Sequence, residues 1–306
     1  MKDYDVIIIG GGPAGMSALI WCHSTGLRAI LLEKSDKLGG QMLQMYHRIL
    51  DYPGLMTENG REMRDHFLAQ LNELQLSWKT GCVINQLDLS EKTLTCDGER
   101  LRARAMIIAT GAGKRRLGIP GESKFETSGV SFSATRDHSH YAGRNVVVIG
   151  GGDSAVENSL ILARVCPRVT LIHRSGNFRA RDEWIKEARE NPRIEFLEGY
   201  IPLAIEGTDR VERILLKSMR TGAETHLETS GVFIKIGIAP HTEEFRNLIE
   251  LDSDDYIITD RRQRTSVDMV YAAGDVCAPA CLSVATAVGH GAISVKDIAL
   301  TLNFKP

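Results

Sequence analysis

The chain has 306 residues, of which 43% are hydrophobic and 25% charged, enough apolar material for roughly two compact domains of about 150 residues. Its formal net charge of −2 provides no field that would attract nucleic acid or an anionic membrane, and the short cluster Arg261, Arg262 and Arg264 is predicted to be a solvated loop. The first residues, MKDYDVIIIG, lack the features of a secretory signal, and no segment approaches the roughly 20 apolar residues of a membrane span. We therefore expect a cytoplasmic protein with no membrane or nucleic-acid partner.

Six cysteines in a chain of this length do not make a disulfide framework. We expect them to be reduced and mostly buried, with separate treatment for the last two. They are Cys22, Cys82, Cys96, Cys166, Cys277 and Cys281.

The predicted elements begin with a strand, a glycine turn and a helix at residues 4–18, YDVIIIGGGPAGMSA. Gly10 permits the tight turn, Gly12 lets the backbone approach a pyrophosphate, and Gly15 lets the helix pack closely on the strand. The helix N-terminus offers free N–H groups and a partial positive charge to the phosphates. This pattern predicts a dinucleotide site.

A second strand, residues 29–33 (AILLE), ends in Glu33. A carboxylate there accepts hydrogen bonds from a ribose 2′-hydroxyl and disfavours a 2′-phosphate, so the first site favours FAD or NAD over NADP. The turn DGER at residues 97–100 predicts a small antiparallel excursion, and MIIAT at residues 106–110 predicts a further strand.

The first pattern recurs at residues 144–158, RNVVVIGGGDSAVEN, followed by a strand at residues 169–173, VTLIH. The second turn contains Gly150 and Gly152, with Ala155 as a permitted small residue at the third position. The chain therefore contains two strand–helix–strand units.

Basic residues follow the second unit where the first has an acid. His173 and Arg174 end its strand, with Arg179 and Arg181 close behind. Arginine can pair bidentately with a 2′-phosphate, so this site favours NADP(H) over NAD(H).

The last predicted elements are strands at residues 231–237 and 267–275 and a helix at about residues 283–300. The final segment is expected to rejoin the first module, because a dinucleotide domain otherwise lacks its last strand.

The sequence thus predicts an α/β fold of two Rossmann-like three-layer dinucleotide-binding domains, the second inserted into the first. Residues 1–112 and 243–306 would form the FAD-binding domain. Residues 113–242 would form the NADP(H)- or second-nucleotide-binding domain.

Over essentially the whole chain, the motifs resemble those of the low-molecular-weight thioredoxin reductases. They occur in that family's order: GGGPAG near the start, GGQ at 39–41, DYPG at 51–54, ATG at 109–111, GGGDSAVE at 150–157, HR before FRA at 178–180, IGxxP at 236–240 and GDV at 274–276. The resemblance implies an FAD domain interrupted by a pyridine-nucleotide domain, and a homodimer. It also implies that Asp275 holds the flavin's ribityl chain and that the helix beginning near Ser283 points its N-terminus at the flavin's N1/O2 edge.

The turns and the resemblance together identify the candidate cofactor-binding residues. For FAD they are Gly10, Gly12, Pro13, Ala14, Gly15, Glu33, Lys34, Gly40, Gln41, Asp51, Val83, Thr110, Gly111, Gly274, Asp275, Ser283 and Val284. For NADPH or a second FAD in the inserted domain they are Gly150, Gly152, Asp153, Ser154, His173, Arg174, Arg179 and Gly237.

The sequence departs from the family where the redox Cys-x-x-Cys would lie. The stretch SFSATRDHS has Ser133 and Arg136 at those positions, which excludes ordinary thioredoxin reduction through that site. Asp137, the family's candidate proton donor, is retained, either as a catalytic acid or as an ion-pair partner of Arg136. His138 and His140 have no third ligand at suitable spacing and are predicted to be surface histidines, so no metal site is expected.

A cysteine pair instead follows the flavin-binding Gly274 and Asp275, as Cys277 and Cys281. If Pro279 begins the last helix, Cys281 lies in its first turn, where the helix terminus favours thiolate. A helical spacing of four would bring the two Cα atoms within disulfide range. The alternative is two small apolar packing residues. Such a pair resembles the diflavin-linked disulfide oxidoreductases, in which a second FAD is thought to occupy the nucleotide domain.

The leading hypothesis is an enzyme, a flavin-dependent oxidoreductase of the disulfide type. Electrons would pass between FAD and Cys277/Cys281, and then to or from a thiol or disulfide substrate or a small redox protein. One alternative is a ferredoxin- or flavodoxin-NADP reductase-like enzyme without a redox disulfide. A second is a non-catalytic flavin redox sensor.

Overall fold

The computed structural model describes residues 1–46, 48–277 and 281–304. The chain divides into two compact units. Met1–Gly113 and the residues from Ala239 onward form the first, and Lys114–Ile238 form the second.

The strands and helices of the described residues are numbered here in chain order. The strands are β1 Lys2–Ile9, β2 Ala29–Leu32, β3 Trp78–Lys79, β4 Ile84–Asp88, β5 Thr93–Cys96, β6 Glu99–Ile108, β7 Ala112–Lys114, β8 Val130–Ser131, β9 Val146–Ile149, β10 Val169–His173, β11 Ile194–Glu198, β12 Tyr200–Glu206, β13 Arg213–Ser218, β14 Glu224–Glu228, β15 Val232–Ile234, β16 Ile238–Pro240 and β17 Val270–Ala272. The helices are α1 Pro13–Ser24, α2 Gly60–Glu73, α3 Ala134–Asp137, α4 Asp153–Ala163, α5 Asp182–Glu190 and α6 Val284–Thr301.

The first unit is built on a parallel sheet with strand order β3-β2-β1-β6-β17. The four residues Val6 to Ile9 at the end of β1 are at most 4% exposed, because this central strand is covered on both faces. Strands β5 and β4 continue antiparallel from the start of β6. The predicted DGER turn lies between β5 and β6, where Asp97 and Gly98 have positive φ, as a tight hairpin requires.

Helices α1 and α6 pack closely on one another in this unit. A side chain at Gly291 of α6 would place its Cβ 2.4 Å from the carbonyl oxygen of Ala14, so glycine is what allows the backbones to approach. The Ser17 hydroxyl donates to the carbonyl oxygen of Val288 at 2.8 Å. These contacts fix the position of α6 over the start of α1.

The inserted unit has three layers. Its parallel sheet has the order β11-β10-β9-β15-β8. Helices α4 and α5 cover one face, and the antiparallel sheet β12-β13-β14 packs on the other through residues such as Ile205, Ile214 and Leu216. The predicted α/β class is confirmed, and the order reverses between β9 and β15.

Two strands are shorter than the sequence predicts. The strand expected at residues 231–237 is β15, Val232–Ile234. The strand expected at residues 267–275 is β17, Val270–Ala272, because the Val270 N–H donates to the carbonyl oxygen of Val267 and Met269 has positive φ. These contacts form a turn before the strand begins.

The arginine loop is not simply solvated, contrary to expectation. Arg262 Nη1 and Arg264 Nη2 donate to Asp297 Oδ1 at 3.2 and 3.0 Å, and Asp297 lies buried on α6. The hydroxyl of Tyr271 in β17 donates to Asp297 Oδ2 at 2.8 Å. The loop therefore ties α6 to the sheet.

The expectation that all cysteines are reduced is also wrong for one pair. Cys82 and Cys96, both buried, form a disulfide with their Cα atoms 5.8 Å apart. Antiparallel pairing of β4 with β5 places these residues side by side across 14 positions of sequence. Cys22, Cys166, Cys277 and Cys281 are free. Over the described ranges, no helix is both long enough and apolar enough to cross a membrane.

Candidate functional site

The first glycine turn has the geometry that its sequence predicts. Gly10 has a φ of +112°, and a Cβ there would lie 2.3 Å from the carbonyl oxygen of Ala109. A Cβ at Gly15 would lie 1.9 Å from the carbonyl oxygen of Gly10, whereas one at Gly12 would meet nothing within 4 Å. Gly10 and Gly15 are thus required by close packing, and Gly12 faces open space at the N-terminus of α1. A pyrophosphate has room to approach there.

Glu33 lies beside this turn, at the end of β2. Its Oε2 accepts from the Gly11 N–H at 2.6 Å and its Oε1 from the Ser35 N–H at 2.7 Å. The Gly39 N–H donates to the carbonyl oxygen of Gly11 at 2.8 Å, which holds the following loop against the turn. The carboxylate is therefore fixed where a ribose hydroxyl would be recognised, with lone pairs still available.

Asp275 meets a residue from the other end of the unit. Gln41 Nε2 donates to Asp275 Oδ2 at 2.7 Å, although the two are 234 positions apart. Burial raises the pKa of Asp275, and the Gln41 hydrogen bond opposes that shift. A half-buried carboxylate at the carboxyl end of a central strand suits the hydroxyls of a ribityl chain.

Helix α6 begins beside Asp275, at the predicted place. Ser283 is its N-cap, and its hydroxyl oxygen accepts from the Thr286 N–H at 3.1 Å. Val284 is the first helical residue. The end of an 18-residue helix with free N–H groups stabilises negative charge placed before it.

The other residues predicted to bind FAD are placed less distinctively. Thr110 Oγ1 donates to the carbonyl oxygen of His241, and Gly111 has positive φ. Lys34, Asp51 and Val83 are exposed, and the structure gives them no shared contact with the Asp275 cluster. Pro13, Ala14 and Gly40 lie at the first turn of α1 or directly against Gly12.

The sequence prediction for Cys281 is corrected by the start of α6. The helix begins at Val284, because Ser283 caps it with an extended backbone, so Cys281 precedes the helix and is not in its first turn. Pro279, the residue expected to start the helix, lies outside the described residues. The thiolate argument based on a helical position for Cys281 is therefore lost.

The two cysteines differ in environment. Cys277 ends a short 3₁₀ turn that begins at Gly274, and it packs against the apolar cluster that contains Val276 and Ile257. Burial raises the pKa of the Cys277 thiol, which keeps it protonated. Cys281 is exposed, and both sulfurs are free. One thiol therefore faces the protein interior beside Asp275, and the other faces solvent.

The second glycine turn repeats the geometry of the first. Gly150 has a φ of +149°, and a Cβ there would lie 2.2 Å from the carbonyl oxygen of Lys235. A Cβ at Gly152 would meet nothing within 4 Å, and Ala155 is fully buried. His173 covers Gly151 as Glu33 covers Gly11, since a Cβ at Gly151 would touch its ring at 2.3 Å.

The basic residues near this turn fall into two groups. Arg181 is bound by Asp153, whose Oδ1 accepts from the Arg181 N–H at 2.8 Å and whose Oδ2 accepts from Nε at 3.2 Å. Arg174 and Arg179 are exposed and form no ion pair among the described residues. They are the side chains available to a 2′-phosphate, with Ser154 in the first turn of α4 and Gly237 at positive φ.

The region of the missing Cys-x-x-Cys is occupied by an ion pair. Arg136 Nε and Nη2 donate to the two oxygens of Asp137 at 2.6 and 2.7 Å, and the Ser131 hydroxyl donates to Oδ2 at 2.6 Å. Burial opposes ionisation, but these bonds outweigh it and lower the pKa of Asp137. The structure thus favours the ion-pair interpretation of Asp137 over a proton donor.

Metal-binding geometry was searched over the described residues. The one cluster with ligand atoms close enough together contains Cys82, Cys96 and Asp97, and its two sulfurs are bonded to each other. His138 and His140 belong to no such cluster in this part of the chain.

Sequence reasoning missed two residues near the turns. His290 of α6 accepts from the Gly274 N–H through Nδ1 at 3.4 Å, and burial lowers the pKa of its ring. Lys235 lies against Gly150. A histidine inside AVGHGAI and a lysine inside GVFIKIG are polar residues within apolar runs, and that signal could have identified both.

The fold and the turns define a class of protein. Two doubly wound units each present a glycine turn with open space at the second glycine, and the first adds Glu33, Gln41 and Asp275. These residues fit a dinucleotide carrying a ribityl chain, which is FAD. The class is a flavoprotein oxidoreductase with a second dinucleotide-binding unit.

Comparison with known proteins identifies the family. Residues 4–291 match the model of the pyridine nucleotide-disulphide oxidoreductase family. The thioredoxin reductase of Treponema pallidum (strain Nichols) is 38% identical over 300 residues, covering 97% of this chain and 96% of that protein. The chain belongs to this family and is a flavin-dependent disulfide oxidoreductase; FAD and NADPH are the cofactors of the thioredoxin reductase-like enzymes.

Solved structures agree with this assignment. The thioredoxin reductase of Lactococcus lactis (FR conformation) superimposes with a TM-score of 0.75 at 32% identity, over 98% of this chain and 99% of that one. A ferredoxin-flavin thioredoxin reductase from Clostridium acetobutylicum has a TM-score of 0.53 at 25% identity, with 100% coverage of both chains.

Proposed function

We propose that this enzyme exchanges electron pairs between FAD in the first unit and the dithiol Cys277/Cys281, and through it with a thiol or disulfide substrate or a small redox protein. The observation that carries the proposal is the placement of Cys277 two residues after Asp275, with the exposed Cys281 next in line. No Cys-x-x-Cys occurs in the chain, so the dithiol chemistry of the family requires another pair.

FAD, when bound, supplies a two-electron exchange with the dithiol. Gly12, Glu33 and Asp275 would hold its pyrophosphate, ribose and ribityl groups. The N-terminus of α6 would favour negative charge at the ring. Cys277 and the start of α6 enclose the same corner of the unit.

The two cysteines can divide the exchange with a substrate disulfide. The exposed Cys281 sulfur attacks one substrate sulfur, which forms a mixed disulfide and releases the first substrate thiol. The Cys277 sulfur then attacks Cys281, which forms the Cys277–Cys281 disulfide and releases the second thiol. In total, one dithiol and one disulfide become one disulfide and two thiols, with both protons accounted for.

The raised pKa of Cys277 assigns the order of these steps. A thiol that remains protonated is a poor first nucleophile, and burial keeps solvent from it. Cys281 therefore attacks first and Cys277 resolves the mixed disulfide, which is also where a thiol beside the flavin is needed.

Counting electrons tests the proposal. Anaerobic titration with dithionite should consume four electrons per FAD in the oxidised wild type, two for the flavin and two for the disulfide. The Cys277→Ser/Cys281→Ser variant should consume two. Cys166→Ser is the matched control, because Cys166 lies in the inserted unit and donates to the carbonyl oxygen of Tyr141, a bond that serine can keep. Equal consumption by wild type and the double variant would refute the dithiol.

A second candidate differs in the electron donor. The Clostridium acetobutylicum neighbour is described as a ferredoxin-flavin thioredoxin reductase, which supports a one-electron carrier as the source of electrons in place of NADPH. The second dinucleotide site would then hold FAD instead of NADPH. Two flavins released per denatured chain, without flavin bleaching by NADPH, would select this form; one flavin, bleached by NADPH, would select the pyridine nucleotide. A homodimer remains part of the proposal.

A further inference from the structure

Lys235 lies at the point where the strand order of the inserted unit reverses. It directly follows β15, and its N–H donates to the carbonyl oxygen of Ile149 at 2.8 Å. Its own carbonyl oxygen is the atom that a Cβ at Gly150 would meet. The backbone of Lys235 is thus one wall of the second glycine turn.

The side chain reaches across the carboxyl end of the sheet. Lys235 Nζ donates to the carbonyl oxygen of Phe132 at 3.2 Å, and Phe132 is the residue that follows β8. In a doubly wound sheet, the two halves of a dinucleotide lie on opposite sides of the switch point. His173, at the end of β10, marks the adenosine side. Lys235 therefore lies on the side of the redox ring.

The ammonium group is in a positively charged environment. Lys114 Nζ and the Arg116 guanidinium both lie over the ring of Phe132, at 5.3 and 5.6 Å from its centroid. Among the described residues, no carboxylate lies within 4 Å of Lys235 Nζ. Burial lowers the pKa of Lys235 and Lys114 lowers it further, while Glu157 acts in the opposite direction. The positive charge is therefore only partly compensated.

A nicotinamide ring changes charge when it reacts. The oxidised ring is a cation, and the reduced dihydronicotinamide is neutral. A fixed positive charge beside the ring repels only the oxidised form. Building on the proposed function, we propose that Lys235 is a specificity-determining residue that makes the inserted unit bind reduced pyridine nucleotide more tightly than oxidised pyridine nucleotide. The same repulsion would speed release of the oxidised product.

Equilibrium binding separates this effect from binding of the rest of the nucleotide. Isothermal titration of the oxidised FAD-loaded enzyme would use three ligands: NADP⁺, its non-reducing tetrahydronicotinamide analogue with a neutral ring, and 2′-phospho-ADP-ribose, which has no nicotinamide. Lys235→Met removes the charge and keeps an unbranched stem, and Lys235→Arg keeps the charge. Lys217→Met is the control, because Lys217 is an exposed residue of β13 in the same unit.

We expect Lys235→Met to tighten NADP⁺ roughly tenfold, with the affinity for the neutral-ring analogue and for 2′-phospho-ADP-ribose changed less than twofold. Lys235→Arg and Lys217→Met should keep the wild-type ratio of the two ring forms. An unchanged ratio in Lys235→Met, with all three ligands bound, would overturn the inference and leave the proposed function intact. Failure of 2′-phospho-ADP-ribose to bind the wild type would contradict the pyridine-nucleotide assignment itself, and the inference with it.

Discussion

Gly12 and Gly15 are three residues apart in the first turn, yet the structure assigns them different physical roles. A Cβ at Gly15 would lie 1.9 Å from a backbone oxygen, and a Cβ at Gly12 would lie in open space. Backbone atoms cannot move aside as a flexible side chain can. Gly15 is therefore required by the protein itself, and Gly12 by the ligand.

This difference predicts opposite outcomes for two alanine substitutions. Gly15→Ala should lower the stability of the FAD-free protein by about 2 kcal/mol or more, because the helix must move away from the strand. Gly12→Ala should leave that stability within about 0.5 kcal/mol and weaken FAD binding at least tenfold. Urea unfolding and FAD titration measure the two quantities. Equal destabilisation by both variants would show that the open space at Gly12 is not a ligand site.

At the scale of elements, Asp297 of α6 connects three segments of the first unit. Arg262 and Arg264 come from the loop before β17, and Tyr271 comes from β17 itself. The side chain of Asp297 is 5% exposed. Burial opposes its ionisation, but the bonds from Arg264 and Tyr271 dominate and lower the pKa of Asp297. The arginine loop thus helps to position the helix whose N-terminus faces the cofactor site.

A carboxylate with a lowered pKa in the folded state gives a defined pH dependence. Its stabilisation is complete above the ordinary aspartate pKa of about 3.9 and is lost as the pH falls through the lower value of the folded state. Asp297→Asn should therefore cost about 1–3 kcal/mol in the free energy of unfolding at pH 7, and the cost should shrink below about pH 4. Urea unfolding at both pH values checks this, with the exposed Asp268→Asn as control. A difference that stays constant with pH would exclude the charged carboxylate as its source.

The sequence allowed most elements of the fold to be predicted, because glycine turns and β-branched runs are local signals. It did not show where β17 begins, since the turn at Met269 depends on contacts with Thr265 and Val267. It gave no sign that Arg262 and Arg264 meet Asp297 or that Cys82 meets Cys96, because those pairs form only when distant segments pack together. The start of α6 was predicted near Ser283, but the alternative start at Pro279, on which the Cys281 argument rested, was wrong.

At the scale of the whole molecule, the internal repeat has produced two similar turns with different surroundings. Glu33 covers the first turn and His173 the second. Asp275 and the two cysteines belong to the first unit, whereas Lys235 and the free arginines belong to the second. The family's disulfide chemistry is retained while the usual Cys-x-x-Cys positions hold Ser133 and Arg136. We therefore place the exchangeable dithiol in the first unit.

The most direct test of this claim is to identify which cysteines change oxidation state with the flavin. The oxidised enzyme and the anaerobically reduced enzyme are each denatured in a thiol-blocking reagent, digested, and analysed by mass spectrometry. We predict that Cys277 and Cys281 are linked to each other in the oxidised enzyme and fully blocked as free thiols in the reduced enzyme, while Cys22 and Cys166 are blocked in both. Blocking of Cys277 and Cys281 to the same extent in the two samples would contradict the account.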